Sequence, residues 1–347
     1  MRRRNSDELG RNRLRGSVRA NITRTAGALA LVVLVALLAP AGGASARQAP
    51  ALRPFAEYES TGVLVMSVAD GYGAAAVKRE LLRHLPHEVS VVLYGPWDAA
   101  AGRARVIEDY GRYIDPARLR YLALPKAARG FWSRDPMPVP LIASDGRLML
   151  TDAKYWSGFE PDLEIARLFA APIQKHRLQF EGGNFAANHL GDCLVVASRS
   201  TNNIKDGLFA SMYGCRTVIR LPKKGGIGHI DERARFVNAR TIVTDTPEYA
   251  SLLGARGFDV VPIARPAGKY ETYVNALFVN GKAFVPQYGR PEDAGALAVY
   301  ERLGFVAVGF DSRTLSAKGL GSIHCLVMSY PPVAFDLPPV RRPGLLP

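Results

Sequence analysis

Apolar and polar positions along this chain follow an order that keeps returning. Pro138–Ile142 is apolar, Asp145-Gly146 reads as a turn, and Leu148–Thr151 is apolar again. Asp162–Ala170 then carries its apolar residues on one helical face, and Arg177–Phe180 reads as a further strand. The next stretch predicts the same strand, strand, helix, strand order: Phe185–Asn188, Cys193–Ala197, a helix over about 206–213, and Thr217–Leu221. A third unit has Arg235–Val237, Thr241–Thr244, a helix with Thr246 as N-cap and Pro247 at its first position ending near Gly257, and Asp259–Ile263. In the fourth, Val274–Val279 and Ala283–Gln287 flank the hairpin signal Asn280-Gly281; a helix Pro291–Leu303 and a strand Phe305–Phe310 follow. A fifth draws on distant segments. Leu326–Tyr330 joins Gly62–Val68, a helix bearing Val77, Leu81, Leu82 and Leu85, and Val89–Leu93, with one more helix and strand over 101–124.

A unit of this size cannot bury its apolar face alone, which implies stacked or radial architecture. Distant segments complete one unit jointly, so a closed ring is favoured over an open solenoid. The expectation is an α/β fold of five ββαβ units around an axis with pseudo-five-fold symmetry. A doubly wound parallel sheet is the competing architecture, and it accounts poorly for the tight hairpins.

The 347 residues are 48% hydrophobic and 22% charged, which excludes a chain disordered throughout. Of the net charge of +14, part is local: eight arginines and two acids precede residue 47, and net +8 remains beyond. No basic run with interleaved aromatics follows, so a nucleic-acid partner is not expected. The arginine-rich start, the apolar run Ala28–Ala39 and the small-residue triplet Ala44-Ser45-Ala46 read as a signal peptide, residues 1–46. An uncleaved anchor is the alternative. Either way the remainder, 47–347, is expected as one exported catalytic domain, periplasmic or secreted, with no membrane partner beyond the signal segment. An oxidising compartment allows Cys193 to pair with Cys215 and leaves Cys325 over.

Polar residues recur where each unit opens. Asp135, Glu181, His229, Asn275 and Cys325 follow one another at steps of 46, 48, 46 and 50 residues, with Asp231 two beyond His229. In a ring, near-equal steps bring such positions to one end of the axis. The result is a pocket of carboxylates, a histidine, an asparagine and a thiol. No zinc spacing fits His229, Asp231, His324 and Cys325, so no metal is expected. Acids around a thiol repel its ionised form unless a cation lies among them, which points to a cationic substrate. Guanidinium fits: it is planar, stays charged, and can be gripped by two carboxylates through paired hydrogen bonds.

The motifs Trp132-x-Arg134-Asp135, Glu181-Gly-Gly-Asn184, Gly228-His-Ile-Asp231, Tyr273-x-Asn275 and Gly321-Ser-Ile-His-Cys325 resemble those of the bacterial peptidylarginine deiminase/agmatine deiminase family. The resemblance implies the five-bladed α/β propeller called the pentein fold and a cofactor-free hydrolysis of guanidinium to a ureido group and ammonia. By position it implies Cys325 as nucleophile, Asp135 and Asp231 as guanidinium clamps, and His229 as acid and base with Glu181 holding its ring. Asn275 would place Cys325 or the substrate, and Trp132 would pack on the substrate stem. Peptidyl-arginine is the expected substrate of an exported enzyme. Agmatine converted to N-carbamoylputrescine, amidino transfer, and a non-enzymatic guanidine-binding protein are the alternatives.

Overall fold

The computed structural model describes residues 52–198 and 201–341, all within one unit, Ala49–Pro347. The segment read as an export signal lies outside the described residues. No described helix is long and apolar enough to cross a membrane.

Five small sheets form, each around one of the repeated units. The clearest is the fourth. Leu277–Val279 runs antiparallel to Lys282–Gln287, and the helix Asp293–Arg302 carries the chain across to Val306–Asp311, which pairs parallel to the middle strand. The hairpin tip is Asn280-Gly281, with φ of 46° and 80°, the left-handed geometry that Asn-Gly supplies at small cost. The third unit repeats this with Ala234–Phe236, Thr241–Thr244, the helix Pro247–Gly254 and Asp259–Pro262. Thr246 stands at the N-cap, but its hydroxyl donates to Asp245 and caps nothing. In the second, Ala186–Ala187, Asp192–Ala197, Asp206–Tyr213 and Thr217–Pro222 follow the same plan, and a disulfide joins Cys193 to Cys215 across 22 residues. The fifth sheet is assembled from distant segments as the pattern predicts: Val327–Tyr330 runs antiparallel to Val63–Ser67, which pairs parallel with Ser90–Gly95 across the helix Ala74–His84. The helix Ala99–Tyr110 and the strand Leu119–Ala123 extend it.

The first unit departs from expectation. Val139–Ala143, Leu148–Thr151 and the helix Asp162–Leu168 form as read, but the parallel strand is Ile173–Gln174, and Arg177–Phe180 is not a strand. Phe180 is buried because its ring packs edge-on against Phe209 and Tyr213, not because it joins a sheet. Likewise Val274–Ala276 precedes its strand; it is buried loop. Two elements carried no pattern signal: the short strand Leu52–Pro54, which pairs antiparallel with Val139–Ala143, and the helix Arg313–Gly319.

Candidate active site

Five loops that open the units are tied to one another. Gly182 N–H donates to Asp135 O at 3.1 Å, Arg134 N–H to Cys325 O at 3.1 Å, and His324 N–H to Asn275 O at 3.3 Å. The Asn275 side-chain amide donates to Asp231 O at 3.3 Å, and His229 Nε2 meets Glu181 Oε2 at 2.6 Å. Each loop therefore bonds to the loops before and after it, and the six polar residues expected at one end of the axis share one site. Three short 3-10 turns, Gly182–Asn184, Ile230–Glu232 and His324–Leu326, carry Gly183, Asp231 and Cys325.

Two glycines make the approach possible. A Cβ on Gly182 would stand 2.2 Å from Arg134 O. One on Gly183 would stand 2.6 Å from His229 Nδ1, 2.7 Å from Asp135 Oδ1 and 3.3 Å from Asp231 Oδ2. Any side chain at 183 would fill the space that these three groups face, so both carboxylates and the imidazole converge on one small volume. Asp231 Oδ1 is buried without a hydrogen-bond partner, a costly state that a bound donor would relieve, and His229 Nδ1, likewise unpartnered, faces Asp135 Oδ1 at 3.5 Å.

Cys325 Sγ lies against the same group. It is 3.4 Å from Asp231 Oδ2 and receives the Asn275 amide at 3.2 Å. Trp132, Asp135, Glu181, His229 and Cys325 line a cavity of about 250 Å³ together with Tyr155, Trp156, Ile227, Leu320 and two glycines.

The charges perturb one another strongly. Burial pushes the Cys325 thiol well above its ordinary value, and Asp231 and Asp135 add to the shift, so the resting sulfur is a neutral thiol. Burial, then the neighbouring Glu181 and Asp231 carboxylates, push Asp135 up to about 7 against the pull of His229. Burial alone would lower His229; Asp135, the bond to Glu181 and Asp231 overcome it and push the imidazole up to about 10. The site thus holds a protonated histidine, a neutral thiol and carboxylates with too few cations. A planar cation entering it would meet two acids and a sulfur. Asp135, Glu181 and His229 are the one triad of ligand-type donors within 4.8 Å among the described residues. Its shortest contact, the 2.6 Å His229–Glu181 bond, is already a hydrogen bond that orients the ring.

Behind Asp231 stands machinery that the motifs did not reveal. His324 Nδ1 meets Asp231 Oδ2 at 2.7 Å, and its Nε2 meets Glu57 Oε1 at 2.8 Å. Glu57 also pairs with Arg134 and Arg235. Burial would raise the Glu57 pKa, but the two arginines and His324 hold it well below the carboxylate range. His324 was visible in sequence as a metal-ligand candidate and as the neighbour of Cys325 in its motif, with no role assigned. Glu57 is 267 residues from His324 and had no spacing to betray it.

A mixed α/β fold carrying a thiol, a histidine and paired acids around a well for a flat cation defines an enzyme that acts on guanidino groups. The chain belongs to the Porphyromonas-type peptidyl-arginine deiminase family, whose model matches residues 79–331. It is a deiminase, a hydrolase of C–N bonds in linear amidines. Among solved structures it is similar to a Porphyromonas gingivalis protein provisionally named an arginine deiminase, at 25% identity and TM-score 0.63, over 81% of this chain and 98% of that one. It shares its fold with C. jejuni agmatine deiminase (19% identity, TM-score 0.68, 80% of this chain and 95% of that one). The same holds for the agmatine deiminase of Enterococcus faecalis (16%, 0.64, 81% and 96%). A search of curated proteins gave no match.

Proposed function

We propose that this chain is an exported peptidyl-arginine deiminase built as a five-bladed α/β propeller. The five mutually bonded loops and the five sheets support that architecture. The signal-like segment 1–46 supports export, and so does the Cys193–Cys215 disulfide, a bond that persists in oxidising compartments.

The observation that carries the chemistry is the convergence of Asp135, Asp231 and His229 on the space kept open by Gly183, with Cys325 Sγ 3.4 Å from Asp231 Oδ2. In this reading Asp135 and Asp231 grip the guanidinium nitrogens and hold the carbon against Cys325 Sγ. The bound cation cancels the acids that keep the thiol neutral, so substrate itself promotes thiolate formation. Sulfur attacks the guanidinium carbon. His229, protonated at rest, passes its proton to one nitrogen, ammonia leaves, and an S-alkylthiouronium remains. Neutral His229 then takes one proton from water, whose oxygen adds to the same carbon; the C–S bond breaks as the remaining O–H proton passes to sulfur, giving the ureido group and the resting thiol, while the proton first given up by the thiol leaves with ammonia as ammonium. Glu181 orients the ring throughout, Asn275 positions the sulfur, and Trp132 flanks the stem.

Agmatine is the second reading, favoured by the fold shared with two agmatine deiminases. Ammonia and ureido product measured on an arginine peptide, free arginine and agmatine decide between them. Cys325→Ala is expected to lower turnover by about 10⁵-fold or more. Retention of turnover by that variant would remove the covalent mechanism.

A further inference from the structure

Seven large apolar side chains stand exposed among the described residues, and they are not scattered evenly. Trp156, Ile227 and Leu320, exposed by 68%, 36% and 39%, all line the cavity that contains Asp135, His229 and Cys325. Exposed apolar groups gathered at the mouth of a polar well mark a binding surface and not a packing defect. Their charge setting sharpens this. The cavity shares Glu181, Ile227 and His229 with a neighbouring one of about 550 Å³, which is also lined by Lys223. The carboxylates lining the two cavities are Asp135 and Glu181, and Glu181 is bonded to His229. A substrate leaving the well therefore passes aromatic and aliphatic surface and then an ammonium. Among the described residues, a second cation on its tail finds no further acid lining these cavities, whereas an apolar side chain finds three partners.

We infer that Trp156, Ile227 and Leu320 form an apolar subsite for the side chain adjoining the target arginine, so that the substrates are peptides with a large apolar residue beside that arginine. This rests on the peptidyl-arginine reading and goes further by naming the neighbour. Removal of a large side chain from water onto such a surface favours it over glycine by about tenfold or more.

The test uses two dipeptide series, X-Arg and Arg-X, with X as Phe, Gly or Lys, and agmatine beside them; kcat/KM for ureido product is the readout. The expected result, in the series that is turned over, is Phe above Gly by about tenfold and Lys below Gly. In Trp156→Ala/Ile227→Ser the Phe-to-Gly ratio falls toward one, and in either single variant it falls part of the way. Val306→Ala, another exposed apolar position, keeps the ratio. The affinities of Cys325→Ala protein for the same dipeptides are expected to follow the same order. Equal use of Phe and Gly peptides, or a ratio that survives the double variant, overturns the subsite and leaves the peptide reading standing. Turnover of agmatine with none of any peptide overturns both.

Discussion

Glu57, behind Asp231, meets two arginines and His324, whereas Asp135, in front of it, faces two further carboxylates and one histidine. Both groups are mostly removed from water, and their pKa values move in opposite directions. Behind, opposite charges outweigh burial and hold Glu57 ionised. In front, burial and like charges raise Asp135 to about 7, and His229 Nδ1 and Asp231 Oδ1 lack partners. The rear region is balanced in charge as it stands, although Arg134 Nε and Nη2 also lack partners, and the forward one is left with an excess of acid that a cation would offset. Asp231 belongs to both, since its Oδ2 takes the His324 bond and also lies 3.4 Å from Cys325 Sγ.

Substitutions on the two sides should separate activity from stability. Asp135→Asn removes half of the grip on the guanidinium, and kcat/KM should fall about a thousandfold. The same change removes a carboxylate that the fold penalises, so the thermal midpoint should not fall. A large loss of stability in that variant would show that the forward acids hold the fold. Glu57→Gln is the converse. It leaves Arg134 and Arg235 without a counter-charge, and urea titration should show about 4 kcal/mol lost. If Glu57→Gln unfolds at the wild-type midpoint, the rear network does not support the fold.

The disulfide extends the contrast to a region that touches no substrate group. It closes a loop of 22 residues inside the second sheet, between a strand and the turn that follows a helix. Cys193→Ser/Cys215→Ser should cost about 3 kcal/mol in urea titration and leave kcat/KM unchanged below the melting transition. A change in kcat/KM at low temperature would mean that this sheet does more than hold its own loop.

The sequence disclosed the forward region far better than the rear one, for a physical reason. Asp135, Glu181, His229, Asn275 and Cys325 occupy equivalent places in repeated units, so periodicity exposed them. Glu57 and Leu52–Pro54 belong to no repeat: the strand adds to the edge of the first sheet and the carboxylate reaches His324 through the fold. Leu178 and Phe180 misled because aromatic packing between units and pairing within a sheet both ask for alternating apolar residues. A double glycine such as the one after Glu181 is what a close backbone approach requires. Only the fold shows that what approaches is the His229 imidazole and two carboxylates.

The smallest expected effect probes how the forward charges are coupled. In free enzyme, kcat/KM should rise as Asp135 ionises near pH 7 and fall as His229 loses its proton near 10. Glu181 raises both values, disfavouring a second anion at Asp135 and favouring the cation at His229. Glu181→Gln removes one negative charge from between them. Asp135 then ionises more easily, so the acidic limb moves down; His229 gives up its proton more easily, so the alkaline limb moves down as well. The whole profile should shift toward acid by about one pH unit, whatever the loss in absolute rate. If the two limbs instead separate, Glu181 is not the charge that couples them, and its bond to His229 serves orientation alone.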